Sequence, residues 1–197
     1  MDRLYGQIVK ADGLVHPDQS DSLIKVSLAN PKVMAEVRSQ AAMGNPHAED
    51  VLGNAYARAW GGVPQDYAQA VSWVRKAADQ GDANAQFNLG TLYANGQGVP
   101  QDYAQAVSWV RKAADQGVAE AQFDLGIAYD NGQGVPQDYV AAYALFNLAA
   151  ANGAGRASSD RNIAASRMSG RAISEAQDLS RRMQAEGVTK ALDAYLH

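Results

Sequence analysis

The twenty residues GVPQDYAQAVSWVRKAADQG at 62–81 recur letter for letter at 98–117, 36 positions further on. The opening GVPQDY returns a third time at Gly134, again 36 positions later, so the chain is an array with a fixed period. A unit of that length cannot bury its own apolar face and gains a core only by stacking on copies of itself, which makes a solenoid the expected architecture. Other marks keep the register. Leu89-Gly90 and Leu125-Gly126 stand one period apart, and Leu52-Gly53 lies one residue further from its own loop at Gly62. Upstream, Val37-Arg38 leads through Ala41-Ala42 to Gly44 as Val74-Arg75 leads through Ala77-Ala78 to Gly81, so a half unit precedes the first full one. Downstream, Gly153 matches Gly117 and Ala157 matches Ala121, but Arg161 and Asn162 occupy the positions of Leu125 and Gly126 and the array ends. The sequence therefore divides into an N-terminal arm (1–30), an array of a half unit and three units (31–153) and a C-terminal capping region (154–197).

Within each unit the spacing predicts two helices. Ala85, Leu89 and Tyr93 fall at i, i+4 and i+8 on one stripe, beside Gly90, whose missing side chain lets a neighbouring helix approach closely. In the second helix Ala106, Trp109, Val110, Ala113 and Ala114 follow the helical period. Between the two, Asn95-Gly96-Gln97-Gly98 breaks the first helix, Pro100 fixes φ, Asp102 caps the second and Gly117 ends it. Trp73 and Trp109, aromatics at helical spacing, are expected to be core wedges rather than ligand platforms.

The ends are less periodic. In the arm, Asp12-Gly13 signals a turn and the β-branched run from Leu23 to Leu28 is compatible with a short helix, an extended arm or disorder. Asn30-Pro31 supplies a cap and a first-position proline for a helix reaching Met43. After the array, one capping helix is expected over Ala154–Met168. Ser169 can cap another running to Ala185, with Ile173, Ala176, Leu179 and Met183 on one stripe, and Gly187 ends it. Ile163, Ile173 and Leu179 are expected to pack inward, Arg161 and Asn162 to face outward, and a last segment, Val188–His197, remains.

Composition excludes several function classes. The chain has no cysteine, which rules out disulfides, thiol redox chemistry and thiolate metal sites. Its net charge of −4 argues against sequence-independent nucleic-acid binding, which calls for a basic stripe. The charge is uneven: residues 1–153 carry 10 basic and 16 acidic side chains, and residues 154–197 carry 7 and 5, so a basic end follows an acidic array. Arg156, Arg161, Arg167, Arg171, Arg181 and Arg182 either face solvent or contact something anionic. The most apolar stretch, Val140–Ala151, is too short for a bilayer span and is interrupted by Asn147, so no membrane insertion is expected. The first residues lack the basic start and apolar run of a secretory signal, which makes the cytoplasm the first expectation, with the periplasm or secretion open to a chain whose signal had been removed. His16 falls in the arm, His47 in a loop and His197 at the last position, without a second ligand at i+3 or i+4. The GQG runs at 96–98 and 132–134 lack the preceding strand and following Lys-Ser/Thr of a phosphate loop, and they are accounted for as helix terminators. No catalytic constellation, metal site or cofactor is expected.

The run AQFNLGTLYANGQGVPQDYAQAVSWVRKAADQG resembles the Sel-like repeat (SLR) family, relatives of the tetratricopeptide repeat. The resemblance lies in A-x-x-x-L-G-x-x-Y, a G-x-G-V-x-x-D-Y loop and an A-x-x-W-x-x-x-A-A-x-x-G second helix, recurring in register over about residues 33–153. It implies an all-α fold, an α/α solenoid wound as a right-handed superhelix of helix-turn-helix repeats, whose first helices line a concave surface used for protein binding in bacterial signalling, envelope and secretion systems. Residues 62–97 and 98–133 differ at six pairs only, Asp82/Val118, Asn84/Glu120, Asn88/Asp124, Thr91/Ile127, Leu92/Ala128 and Ala94/Asp130, all in the first helix or the turn entering it. By resemblance, Asn84, Phe87, Thr91 and Ala94 would be concave in one unit and Glu120, Phe123, Ile127 and Asp130 in the next. Either the first helices are tuned to a ligand on a standard scaffold, or a recent duplication left one half unreplaced. The resulting expectation is a non-enzymatic, monomeric interaction module or adaptor. Its groove comprises Asn84, Phe87, Thr91, Asn95, Glu120, Phe123, Ile127, Asp130 and Asn131 and takes a peptide, loop or helix with basic and apolar side chains. The alternatives are a cell-envelope enzyme or ligand-binding protein acting on peptidoglycan-like or β-lactam substrates, as linked to cysteine-rich relatives, and a structural protein that self-associates through its repeat ends.

Overall fold

The helices start and stop where short-range chemistry tells them to. Each second helix of the array opens on an aspartate whose carboxylate accepts from the first free amides: Asp66 from the Gln69 N–H at 3.0 Å, Asp102 from that of Gln105 at 3.0 Å, and Asp138 from those of Val140 and Ala141 at 2.8 and 3.0 Å. Asn30 and Asn45 cap in the same way ahead of Pro31 and Pro46, which supply a fixed φ and need no partner for a missing N–H. A computed structural model describes residues 24–197; the Asp12-Gly13 turn signal, His16 and Leu23 lie outside the described residues. Residues 24–28 are helical. They are followed by α1 (Pro31–Ala42), α2 (Pro46–Arg58), α3 (Tyr67–Asp79), α4 (Ala83–Asn95), α5 (Tyr103–Asp115), α6 (Ala119–Asn131), α7 (Tyr139–Ala151), α8 (Ala157–Ser166), α9 (Gly170–Glu186) and α10 (Val188–Leu196). The fold is all-α, an α/α solenoid of helix-turn-helix repeats. Among the described residues no helix is long and apolar enough to cross a membrane.

The described chain forms two compact units, and α4 contributes to both. One runs through Asn88 and takes in Gly96–Pro100; the other comprises Leu89–Asn95 and Gln101–His197. In the first unit, Leu28, Val37, Val51, Leu52 and Ala55 form a continuous buried cluster, against which Tyr56, Trp60 and Trp73 pack with part of each ring exposed. Asp50 and Glu49, the buried acidic residues of this core, are hydrogen-bonded. Asp50, 1 % exposed, accepts from the side-chain amides of Asn54 (3.0 Å) and Asn88 (3.0 Å), and Glu49 accepts from Gln80 Nε2 at 2.6 Å. In the second unit Leu125, Tyr129, Leu145, Phe146, Leu179 and Leu192 are buried.

Close approach between the two helices of a repeat depends on a glycine. A methyl group built on Gly53 would come within 2.5 Å of Val74 Cγ2, one on Gly90 within 2.6 Å of Val110 Cγ2, and one on Gly126 within 2.7 Å of the Phe146 ring. The loops repeat as faithfully. Gln65, Gln101 and Gln137 each donate a side-chain N–H to the carbonyl of a residue near the end of the preceding first helix, Ala57, Ala94 and Asp130, at 2.8, 2.7 and 2.6 Å. The N–H groups of Asp66, Asp102 and Asp138 donate to the carbonyls of Tyr56, Tyr93 and Tyr129. Gly98 (φ +73°) and Gly134 (φ +74°) sit so close to the carbonyls of Tyr67 and Tyr103 that an added Cβ would lie 2.3 Å from the oxygen. The motif glycine thus serves two purposes, a left-handed turn and contact with the second helix one repeat earlier. Gly62, with the same φ of +74°, has nothing within 4 Å; in this longer first loop it is Gly61 that meets α1, where an added Cβ would lie 2.9 Å from Met34 Sδ. The extra residue of the first loop is accommodated by ending α2 on Ala59 in the left-handed region (φ 55°), where the later loops have Gly96 and Gly132, and by packing Trp60 against the core.

The C-terminal helices close the second unit. Helices α8 and α9 pack on α7, and α10 folds back onto α5. There the Thr189 N–H donates to the Asp115 carboxylate at 2.8 Å, while Arg111 pairs with Asp193 at 2.8 Å and donates to the Tyr129 hydroxyl at 2.9 Å. The Tyr195 hydroxyl donates to Asp138 at 3.1 Å, and burial together with that carboxylate pushes its ionisation well above the usual tyrosine range. The final segment is therefore docked.

Three expectations need correction. Ile163 is 49 % exposed: α8 is short and turns Ala157 and Ala164 inward instead, while Leu179 is buried as expected. Trp73 and Trp109 are half-buried rather than fully buried wedges: Trp73 packs against the core of the first unit, and the ammonium groups of Lys76 and Lys112 stand over the two rings at 4.0 and 3.7 Å from the centroids. His47 lies half-buried in the first turn of α2, not in a loop.

The loop geometry makes a pairwise prediction. Gly62→Ala should cost only the left-handed conformation, about 1–2 kcal/mol, whereas Gly98→Ala must also displace backbone and should cost at least about 3 kcal/mol. Denaturant midpoints of the two variants decide it; equal losses would show that the contact with Tyr67 is not what the loop glycine serves.

Candidate functional site

The last two turns of α4, the middle of α5 and the second half of α6 enclose a pocket of about 320 Å³ within the second unit. This lies at the lower end of the roughly 300–1,000 Å³ usual for ligand pockets. Its apolar wall comes from Ala106, Val107 and Val110 of α5 and from Leu125 and Ile127 of α6. Gly90 makes room for Val110, so the same close approach that builds the repeat sets the pocket's depth. Thr91 and Asn95 of α4, Tyr103 at the start of α5, Asp124 of α6 and Gln133 of the following loop supply the polar groups.

Of the residues singled out from sequence, Thr91, Asn95 and Ile127 meet in this pocket. Glu120 lies on α6 one turn before Asp124, half-exposed. Phe123 is also half-exposed and packs tilted on Phe146, with ring centroids 5.6 Å apart, so its outward area is shared with the core. Asp130 is occupied by the C-terminal region: Arg167 donates to both carboxylate oxygens at 3.1 Å and stands over the Tyr139 ring. Asn131 is exposed at the end of α6. Asn84 and Phe87 belong to the first unit, both half-buried on α4. The other arginines of the basic end are largely engaged within the chain: Arg161 with Asn147, Arg181 with Asp178, and Arg182 with Glu186.

Sequence reasoning passed over Asp124, although it is one of the six differing pairs and follows Glu120 by four residues. No hydrogen bond or ion pair among the described residues reaches the carboxylate of Asp124 or Glu120. Asp124 is exposed to solvent at the pocket, with the protein crowded around its carboxylate. Loss of hydration raises its pKa from an ordinary 3.8 to about 6, and the Glu120 carboxylate adds to the rise. Among the described residues no group of three or more His, Cys, Asp or Glu side chains is placed to hold a metal ion.

An all-α helical-repeat protein with a carboxylate-bearing pocket between two first helices and the second helix that joins them is what this fold and site define. Three Sel1 repeats span residues 46–82, 83–118 and 119–153, and the chain belongs to the Sel1 repeat family. Members of that family generally mediate protein–protein interactions. Similar solved structures include the Sel1 repeat protein from Oxalobacter formigenes, 35% identical with a TM-score of 0.64 over 68% of this chain and 53% of that one. Another is an SLR-fold protective antigen present in uropathogenic Escherichia coli strains, 31% identical with a TM-score of 0.53 over 81% of this chain and 42% of that one. The chain thus spans about half the length of these proteins. Among curated proteins none matches it.

The state of Asp124 gives a stability prediction. With its folded pKa above the unfolded value, the folded chain holds a proton that the unfolded chain loses, so this group's contribution to stability declines as pH rises from about 4 to about 6 and is level above. Asp124→Asn should gain stability relative to the parent over that window, read as the difference between the two melting curves. A difference constant from pH 4 to 7 would contradict the assignment.

Proposed function

We propose that the chain is a non-enzymatic interaction module or adaptor that binds a peptide, loop or helix of another protein on the faces of its first helices, in a bacterial signalling, envelope or secretion process. One observation carries this reading. The second helices of the two central repeats are identical, and four of the six differing pairs place a residue in the pocket lining: Asp124, Thr91 with Ile127, Ala128, and Ala94. Sequence difference is concentrated where a ligand would touch and absent from the scaffold behind it. The contact set is Thr91, Asn95, Glu120, Phe123, Ile127, Asp124 and Asn131 in the second unit, with Asp130 anchoring the C-terminal region through Arg167. Asn84 and Phe87 offer further contacts in the first unit. The protein acts as a monomer, and the same chemistry would serve in cytoplasm or periplasm. A peptidoglycan or β-lactam enzyme finds no support in the arrangement of the described residues.

Filling the pocket tests the proposal. Ala94→Arg inserts a long side chain from the pocket wall, and Gln105→Arg adds the same charge on the exposed face of α5. A partner recovered with the parent chain should be lost with Ala94→Arg and kept with Gln105→Arg. Retention by both variants would move the binding surface elsewhere.

A further inference from the structure

Resting on the reading of this pocket as a protein-binding site, we propose that its occupant is an arginine side chain presented by the partner. The pocket offers the three things a guanidinium uses. Its wall of Val107, Val110 and Ile127 can receive the three methylenes of the stem, which bury readily while the head stays polar. Tyr103, 39 % exposed, lines the same pocket and offers an aromatic ring on which a planar cation stacks. Asp124 lines it too, and Glu120 lies one turn earlier on the same face of α6, close enough on helical geometry for one fork-shaped cation to reach both.

The carboxylates decide between occupants. An apolar side chain seated here would strip water from Asp124 and leave its charge without a partner, a cost that apolar contact would have to offset. An acidic side chain would face two like charges. A lysine satisfies the charge and can sit over a ring, as Lys112 does over Trp109, but its compact ammonium has neither the planar stacking nor the fork of a guanidinium. The pKa of Asp124 is raised first by loss of hydration and then by the Glu120 carboxylate, and a guanidinium would stabilise the charged form that both disfavour. The corresponding carboxylates nearby are already answered: Asp130 is held by Arg167 and Asp193 by Arg111. Asp124 and Glu120 are not.

The test uses the full chain and N-acetyl-arginine N-methylamide as the probe, followed by amide chemical shifts. Citrulline, lysine and norleucine methylamides serve as comparison probes, citrulline having the shape of arginine without its charge. Saturable shifts centred on Thr91, Ala94, Asp124, Ile127 and Ala128 are expected with the arginine probe. They should weaken at least about tenfold with Asp124→Asn, whose unchanged spectrum elsewhere shows it folded, and with the citrulline probe. Lysine should bind more weakly than arginine, and Tyr103→Leu should narrow that difference. Arginine shifts that survive Asp124→Asn, or that equal those of citrulline, overturn the proposal. If norleucine alone perturbs these amides, the arginine proposal fails while the pocket stands as a binding site; if no probe perturbs them, both fail.

Discussion

The distance between the paired helices of each repeat governs the rest of the molecule, and a single hydrogen atom governs that distance. Gly53, Gly90 and Gly126 occupy equivalent positions on three first helices, and each faces a side chain of the following second helix that would overlap a Cβ. At interior packing density such an overlap is relieved only by moving a packed side chain or a helix, at a cost. Because the contact recurs every repeat, its geometry is copied along the chain, and the loops are held in step by the Gln-to-carbonyl and Asp-to-Tyr hydrogen bonds. Val110, drawn in against Gly90, is also the back wall of the pocket. Packing and binding site therefore follow from one constraint.

A division of labour results. The second helices of the two central repeats carry identical residues, an aspartate cap at the front and alanines against the core. First helices carry the glycine and the buried leucine as fixed points, and between them lie positions that can change without disturbing the stack. Those positions gather carboxylates toward the C-terminal end. One is committed to structure, since Asp130 binds Arg167; on the second helix α5, Asp115 accepts from the backbone of Thr189, so the C-terminal helices are tied to the array by its own acidic residues. Of the basic groups of residues 154–197, Arg167 pairs with an array carboxylate, while Arg181, Arg182 and Lys190 pair with Asp178 and Glu186 inside the C-terminal region itself.

The repeat, its two helices, the role of Gly90 and the aspartate caps were legible because each depends on residues close in sequence. His47 was legible too: Asn45-Pro46 carries the same start signal as Asn30-Pro31 and places it inside a helix. The tryptophans were misjudged because helical spacing does not distinguish a ring inside the core from one at its edge; Lys76 and Lys112, three residues on, were the sign that one face looks outward. The docking of α10 was not legible, since its partners Arg111 and Asp115 lie 82 and 74 residues away from Asp193 and Thr189. Asp124 was visible as a difference between repeats, but its place in a pocket depends on where three helices meet.

The close-approach claim is tested most directly by Gly126→Ala and Gly53→Ala, because the two relevant effects have opposite signs. Alanine raises intrinsic helix propensity by about 1 kcal/mol over glycine. Overpacking a fixed helix contact costs about 1–3 kcal/mol, and the nearest approaches of 2.5 and 2.7 Å place both sites at the upper part of that range. Equilibrium unfolding in denaturant should show both variants less stable than the parent, with helix content retained before the transition. A rise in midpoint for either would mean that its helices have room for a methyl group, and that close approach is not what sets the repeat.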